Sequence, residues 1–256
     1  MEYTSIFDSH AHYDDAKFDE DRDELISSLP SKGIIGVINC GADLKSSAQS
    51  VKLSEKYDYI YAAVGVHPHE AKDFGDDTLN ELRRLAANKK VVAIGEIGLD
   101  YYYDFSPREK QIEVFEKQLI LAAELNLPVI THNRDAHEDT LNILKKHRPK
   151  GVLHCFSGSA ETAREIVKLG MFIGLGGAVT FKNAKKPLEV AATVPDEFLL
   201  IETDAPYMAP VPFRGKRCDS AMIPYTAEKI AEVRNTTAQE ILNLTAENAK
   251  RLFGID

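Results

Sequence analysis

Short apolar runs recur along the chain at residues 5–12, 34–41, 60–68, 91–100, 128–134, 151–158, 171–179 and 198–206. They are rich in Val and Ile, and most end in Gly, Pro, Asp or His. Apolar character this continuous predicts strands covered on both faces, as in a parallel sheet. Between the runs lie polar stretches with helical spacing, at 44–56, 78–87, Arg108–Leu125, 136–147, 160–169, 185–192 and 226–234. In Arg108–Leu125 the residues Ile112, Phe115, Leu119, Ala122 and Ala123 fall on one stripe, the signature of a helix laid on a core. The first connection, 19–29, is short and acidic, and 237–253 reads as an additional helix capped by Thr236 or Thr237.

Strands alternating with helices make βαβ units and a parallel sheet. Eight such units within 256 residues predict an α/β fold, a (β/α)8 TIM barrel with an extra C-terminal helix. A doubly wound open sheet is the competitor, but it ordinarily carries a Gly-rich phosphate loop after its first strand. Here that position reads DSHAHY, at 8–13. No linker or low-complexity stretch interrupts the pattern, so residues 1–256 are expected to form a single domain.

Composition alters this picture in two respects. A net charge of −9 argues against holding nucleic acid by a broad basic face, although bound cations can reverse the local sign within an acidic site. Three cysteines at wide spacing, with no CxxC pair, suggest neither a disulfide framework nor a cysteine zinc site. The N-terminal residues show no basic and apolar leader, and no run of about 18 apolar residues appears. The expectation is a cytoplasmic protein that does not engage membranes.

In a barrel, chemistry sits at the C-terminal ends of the strands. The polar residues gather there: His10 and His12 end the first run, His67 and His69 the third, Glu96 and Asp100 the fourth, His132 to Arg134 the fifth, His154 lies in the sixth, and Glu202 to Asp204 end the eighth. His10 and His12, two apart on a strand, share a face and can grip one cation. Each residue also has a plain alternative: a core histidine with its hydrogen bonds met, or a carboxylate capping the next helix. Six metal-competent groups at one end of a barrel would, uncompensated, cost several kcal/mol. His10, His12, Glu96, His132, His154 and Asp204 exceed what one tetrahedral zinc with an open position needs, and fit two ions if Glu96 bridges them.

These residues lie in segments that resemble the TatD family of metal-dependent deoxyribonucleases, within the amidohydrolase-like barrels. The matching segments are DSHAHY, GVHPH at 65–69, GEIGLDYYYD at 95–104, HNRDA from His132, HCFSG at 154–158 and ETDAPY at 202–207, in family order over nearly the whole chain. The resemblance implies a two-metal site in which His10, His12, Glu96 and Asp204 hold one ion and Glu96, His132 and His154 the other. By the same resemblance His67 lies near the scissile phosphate and Arg134 matches the family's arginine. In the mechanism these residues suggest, His67 or Arg134 binds a non-bridging phosphate oxygen, Glu96 and Asp204 are catalytic, and Asp204 takes the proton from water as general base. Asn133 stands where the family commonly has Ser, and Cys218-Asp219-Ser220 replaces the usual Asn-Glu-Pro.

Mixed nitrogen and oxygen ligation admits Mg, Mn, Zn, Fe, Co or Ni. The implied activity is a metal-activated attack of water on DNA, more than RNA, at single-stranded ends. An amide or ester hydrolase on the same scaffold, such as an aminoacyl ester deacylase, remains open, as does a barrel that only binds a partner. No obligate protein partner is indicated, and a monomer is expected. Tyr101–Tyr103 are expected to pack their loop against the next helix, with base stacking as the alternative. Asp100 reads equally as a loop cap or as a residue that orients a ligand histidine.

Overall fold

A computed structural model describes residues 3–255. Eight strands, β1 (Ile6–Ala11), β2 (Ile34–Cys40), β3 (Ile60–Val64), β4 (Val91–Asp100), β5 (Val129–Arg134), β6 (Gly151–Leu153), β7 (Phe172–Leu175) and β8 (Leu199–Ile201), form one sheet in chain order. Between them run α1 (Arg22–Ser28), α2 (Leu44–Lys56), α3 (Asp76–Ala86), α4 (Arg108–Leu125), α5 (His137–His147), α6 (Ala160–Lys168) and α7 (Lys185–Thr193), followed by α8 (Ile223–Arg234) and the extra helix α9 (Ala238–Phe253). This is the expected (β/α)8 TIM barrel. No described helix is long and apolar enough to cross a membrane.

The chain divides into two compact units. One holds the described residues up to Ile38, Cys155–Lys168 and those from Phe172 onward; the other holds Asn39–His154 and Leu169–Met171. In the first, β1 lies beside β8 through a parallel bridge between Ala11 and Ala205. His12 N–H donates to Ala205 O at 2.7 Å and Asp204 N–H to His10 O at 2.9 Å, so the segments carrying His10, His12 and Asp204 are tied backbone to backbone. Helix α9 starts where Thr237 and Glu240 form a capping box, which resolves the Thr236 or Thr237 choice in favour of Thr237. Its buried stripe, including Ile241, Leu242, Ala246, Ala249 and Phe253, packs over β1 and β8.

In the second unit β4 is buried along its whole length and pairs in parallel with β3 and β5. Gly98, at φ +145°, lies so close to β5 that a Cβ there would stand 2.0 Å from His132 O. Only glycine fits this approach. Helix α4 matches its expected bounds, but its inward face is rotated: Gln111, Val114, Phe115, Gln118, Leu119 and Ala122 are buried, whereas Ala123 is exposed. The two glutamines face inward because they bond loop backbone. Gln118 accepts from Val66 N–H at 2.7 Å and donates to Val66 O at 3.0 Å. Gln111 accepts from Asp100 N–H at 2.8 Å and donates to Asp100 O at 3.1 Å and Ser106 O at 2.8 Å.

The last three strands stop earlier than their apolar runs, at Leu153, Leu175 and Ile201. The residues beyond them are apolar because they are buried in loops: Phe156, Val179 and Ala205 are 6%, 1% and 0% exposed. Helix α8 begins at Ile223 rather than Thr226, with Pro224 in its first turn, where the missing N–H costs nothing.

Candidate metal centre

In the first unit His10, His12 and Asp204 come together. His10 Nε2 lies 3.0 Å from His12 Nε2 and 3.7 Å from Asp204 Oδ1, and His12 Nε2 lies 3.5 Å from the same oxygen. Asp204 is three residues past β8 at φ +60°, a left-handed conformation that non-glycine residues hold only when their surroundings impose it. Thr203, the residue before it, is bonded to Asp8, which is fully buried on β1 and was not among the expected site residues. Asp8 accepts from Thr203 N–H at 3.0 Å, Thr203 Oγ1 at 2.6 Å, Ser220 Oγ at 2.7 Å and, more weakly, His10 N–H at 3.3 Å. Burial pushes its carboxyl up to about 7, against the lowering effect of the Ser220 and Thr203 bonds.

In the second unit His132 Nδ1 and His154 Nε2 each lie 2.8 Å from Glu96 Oε1, and 3.4 Å from one another. Ligand atoms of His67, Glu96 and His132 all lie within 4.8 Å of one another. The β4–β5 register slips between Ile94 and Ile97, a bulge that re-aims the Glu96 side chain; the Gly95–Glu96 peptide is cis. His132 Nε2 stands 3.1 Å from Asp100 Oδ2, which also meets His69 Nε2 at 2.9 Å. The other Asp100 oxygen accepts from Tyr102 N–H and Tyr103 N–H at 3.0 and 2.9 Å. Asp100 therefore does both things the sequence left open: it caps the loop and fixes the ring of His132. Burial raises its carboxyl, but bonds from His132, the Tyr103 N–H and His69 outweigh that and hold it well below the usual carboxylate range.

Donor atoms about 2.0–2.2 Å from one cation stand roughly 3–3.5 Å apart. The two sets, at 3.0–3.7 Å and 2.8–3.4 Å, lie within about 0.2 Å of this spacing. Two imidazole nitrogens facing each other at 3.0 Å, as in His10 and His12, need a proton or a cation between them. The residues present therefore fit divalent metal. With Nδ1 of His132 as the metal donor, its Nε2–H donates to Asp100, the support that ligand histidines ordinarily have.

His67 differs from the other histidines. Its Nδ1 accepts from His69 N–H at 3.2 Å, which leaves the proton on Nε2, 3.5 Å from Glu96 Oε1. Burial, followed by the neighbouring His132, lowers its pKa to about 4, so the ring is neutral near pH 7. In that tautomer the neutral ring offers a hydrogen-bond donor at Nε2.

A TatD related DNase family model matches residues 7–254. An uncharacterized metal-dependent hydrolase of Bacillus subtilis, YabD, is 47% identical over 98% of this chain and 100% of its own length. The 3'-5' ssDNA/RNA exonuclease TatD of Erwinia tasmaniensis is 37% identical, covering 98% of this chain and 100% of its own. The crystal structure of YJJV, a TatD homolog from Escherichia coli K12, superposes with a TM-score of 0.90 at 34% identity, covering 98% of this chain and 99% of that one. The chain belongs to the TatD family. It is a metal-dependent hydrolase with histidine, glutamate and aspartate clusters able to bind metal.

The departure of this TatD protein at Cys218-Asp219-Ser220 has a structural answer. Ser220 Oγ meets Asp8 and the Tyr13 hydroxyl, both at 2.7 Å, and its N–H donates to Tyr13 Oη at 2.9 Å. Cys218 N–H donates to Pro206 O at 3.0 Å, and Asp219 accepts from Ala221 N–H at 2.8 Å. The loop is thus anchored to Asp8 of β1 and to Tyr13. In the basic part of that loop Arg217 pairs with Asp21 and is committed there. Glu202 accepts a short hydrogen bond from Cys155 N–H and holds the chain just after His154.

Asp100→Asn is expected to weaken metal binding by about 10–100-fold, because the amide cannot hold His132 as the carboxylate does. Titration of the metal-free protein with Mn2+, followed calorimetrically, reads this directly. An unchanged affinity would mean that Asp100 serves only as a cap.

Proposed function

We propose that this chain is a TatD-type deoxyribonuclease that hydrolyses phosphodiester bonds at single-stranded DNA ends with the aid of two divalent ions. The observation that carries the reading is the pair of donor triads, His10/His12/Asp204 and Glu96/His132/His154, each spaced for one cation. By the family resemblance, Glu96 would also serve the ion held by His10, His12 and Asp204. Relatives bearing the name 3'-5' ssDNA/RNA exonuclease support a nucleic-acid substrate and attack from an end.

Divalent ions at these donors supply Lewis acidity toward the phosphoryl oxygens and lower the pKa of water toward neutrality. Asp204 Oδ1 takes the proton from the attacking water as general base. The His67 Nε2–H donates to a non-bridging phosphate oxygen. Arg134 offers a second set of donors in a fixed fork. Water oxygen joins phosphorus as the bond to the leaving sugar oxygen breaks. The chain acts as a single-domain monomer in the cytoplasm, with DNA preferred over RNA and no obligate protein partner.

Purified protein incubated with end-labelled single-stranded DNA tests the reading. Shortening of the strand is expected with Mg2+ or Mn2+, none after EDTA, and recovery when the ion returns. DNA left intact while aminoacyl esters or N-acyl amino acids are cleaved would place the chain among amide and ester hydrolases instead.

A further inference from the structure

The loop after β4 carries an exposed aromatic cluster that the metal chemistry does not use. Tyr102, Tyr103 and Phe105 are 58%, 45% and 57% exposed, whereas alternate tyrosines were expected to pack the loop against the following helix. Only Tyr101 is engaged as expected, its hydroxyl bonded to Asp139 and its ring under Arg108. Tyr103 and Phe105 stack, with centroids 5.2 Å apart and planes 24° apart, and Tyr102 meets Tyr103 edge-on at 4.9 Å. The cluster runs into the metal half-site. Phe105 and Tyr103 contact the His69 ring at 4.8 and 5.3 Å, His69 contacts His67 at 4.2 Å, and His67 Nε2 is 3.5 Å from Glu96.

Arg134 lies over this cluster, its Cζ 4.1 Å from the Tyr102 centroid and 4.7 Å from that of Tyr103. Among the described residues no carboxylate pairs with it, unlike Arg83, Arg84, Arg108 and Arg217. An exposed guanidinium lying over two rings, with no carboxylate partner among the described residues, has N–H groups available for an anion. Solvent-exposed rings would ordinarily be buried; here three stand together beside an unneutralised cation. That combination matches one ligand chemistry, a nucleotide, with a π-face for the rings and a phosphate for the guanidinium.

Net charge sharpens the argument. A chain at −9 repels a polyanion at distance, so affinity must come from local contacts that do not depend on overall charge. Stacking is such a contact and is tolerant of base identity.

We propose that Tyr102, Tyr103 and Phe105 form a shelf on which a base of single-stranded nucleic acid stacks while Arg134 binds the adjoining phosphate. This rests on the nuclease reading above and adds to it: the shelf selects strands with unpaired bases, because paired and stacked bases in a duplex have no face to offer. Phe105, the ring not covered by Arg134, is the principal stacking surface.

The test compares kcat/KM of the metal-loaded enzyme on a short single-stranded oligodeoxynucleotide with that on the same strand carrying reduced abasic residues near the cleaved end. The wild type is expected to favour the base-bearing strand about tenfold or more, the scale of one stacked base. Phe105→Ala and Phe105→Leu should reduce that ratio about tenfold, whereas Phe105→Tyr, which keeps the ring, should retain it. A ratio unmoved by Phe105→Ala and by Tyr102→Leu, or lowered as much by Phe105→Tyr, overturns the shelf. A wild type that cleaves neither strand overturns the nuclease reading itself; cleavage of both strands with an unmoved ratio counts against the shelf alone.

Discussion

Asp204→Asn is expected to lower kcat about a thousandfold while leaving the fold intact. The backbone of Asp204 is set by its N–H bond to His10 O and by the Thr203–Asp8 network next to it, none of which involves the substituted side chain. An asparagine can therefore occupy the same place, φ +60° included, since Asn tolerates the left-handed region better than most residues. What it loses is charge beside His10 and His12 and the capacity to take a proton. General-base contributions commonly amount to a hundred- to ten-thousandfold, roughly 3–5 kcal/mol of barrier. Steady-state kinetics on single-stranded DNA, with a thermal melt on the same sample, separates loss of chemistry from loss of fold. A rate within about tenfold of wild type would remove Asp204 as the base.

A still larger effect is expected for Glu96→Ala, on the order of ten-thousandfold in kcat/KM, with loss of bound metal. Oε1 of Glu96 is the shared neighbour of His132 Nδ1 and His154 Nε2. Without it the two imidazoles face each other at 3.4 Å with no anion to offset a cation. The activation that bound ions give to water goes with it. Elemental analysis after gel filtration, set beside the rate, measures both consequences. Retention of full metal content with a normal rate would contradict the bridging role.

Much of the fold was legible because its signals are local. The strand at Val91–Asp100 and the helices Leu44–Lys56 and Arg108–Leu125 have the bounds that apolar continuity and helical spacing predict. The strand ends after β6, β7 and β8 were not, because a buried loop and a buried strand are equally apolar; Ala205, for instance, is buried outside the strand that precedes it. The stripe on α4 was misplaced for a related reason. Counting apolar residues overlooks Gln111 and Gln118, whose amides are buried by bonds to Asp100 and Val66 on other elements.

The same division holds at the site. Histidines and carboxylates at strand ends declare themselves, and HxH spacing on a strand places two rings on one face. The residues that hold them in place do not. Asp8 has an ordinary position two before His10, and its role appears only when Thr203 and Ser220, 195 and 212 residues away, fold onto it. The tyrosine run suggests a loop packed against the following helix because aromatic side chains bury well. Their exposure is set by Asp100, which caps the Tyr102 and Tyr103 N–H groups and turns the loop outward.

The central claim is that each of the two proposed donor triads, His10/His12/Asp204 and Glu96/His132/His154, holds a divalent ion. Anomalous diffraction at the manganese edge, from crystals of the wild type grown with Mn2+, tests it most directly. Two peaks per chain are expected, one bonded to His10, His12 and Asp204, the other to Glu96, His132 and His154. A single peak, or peaks away from these donors, would contradict the account.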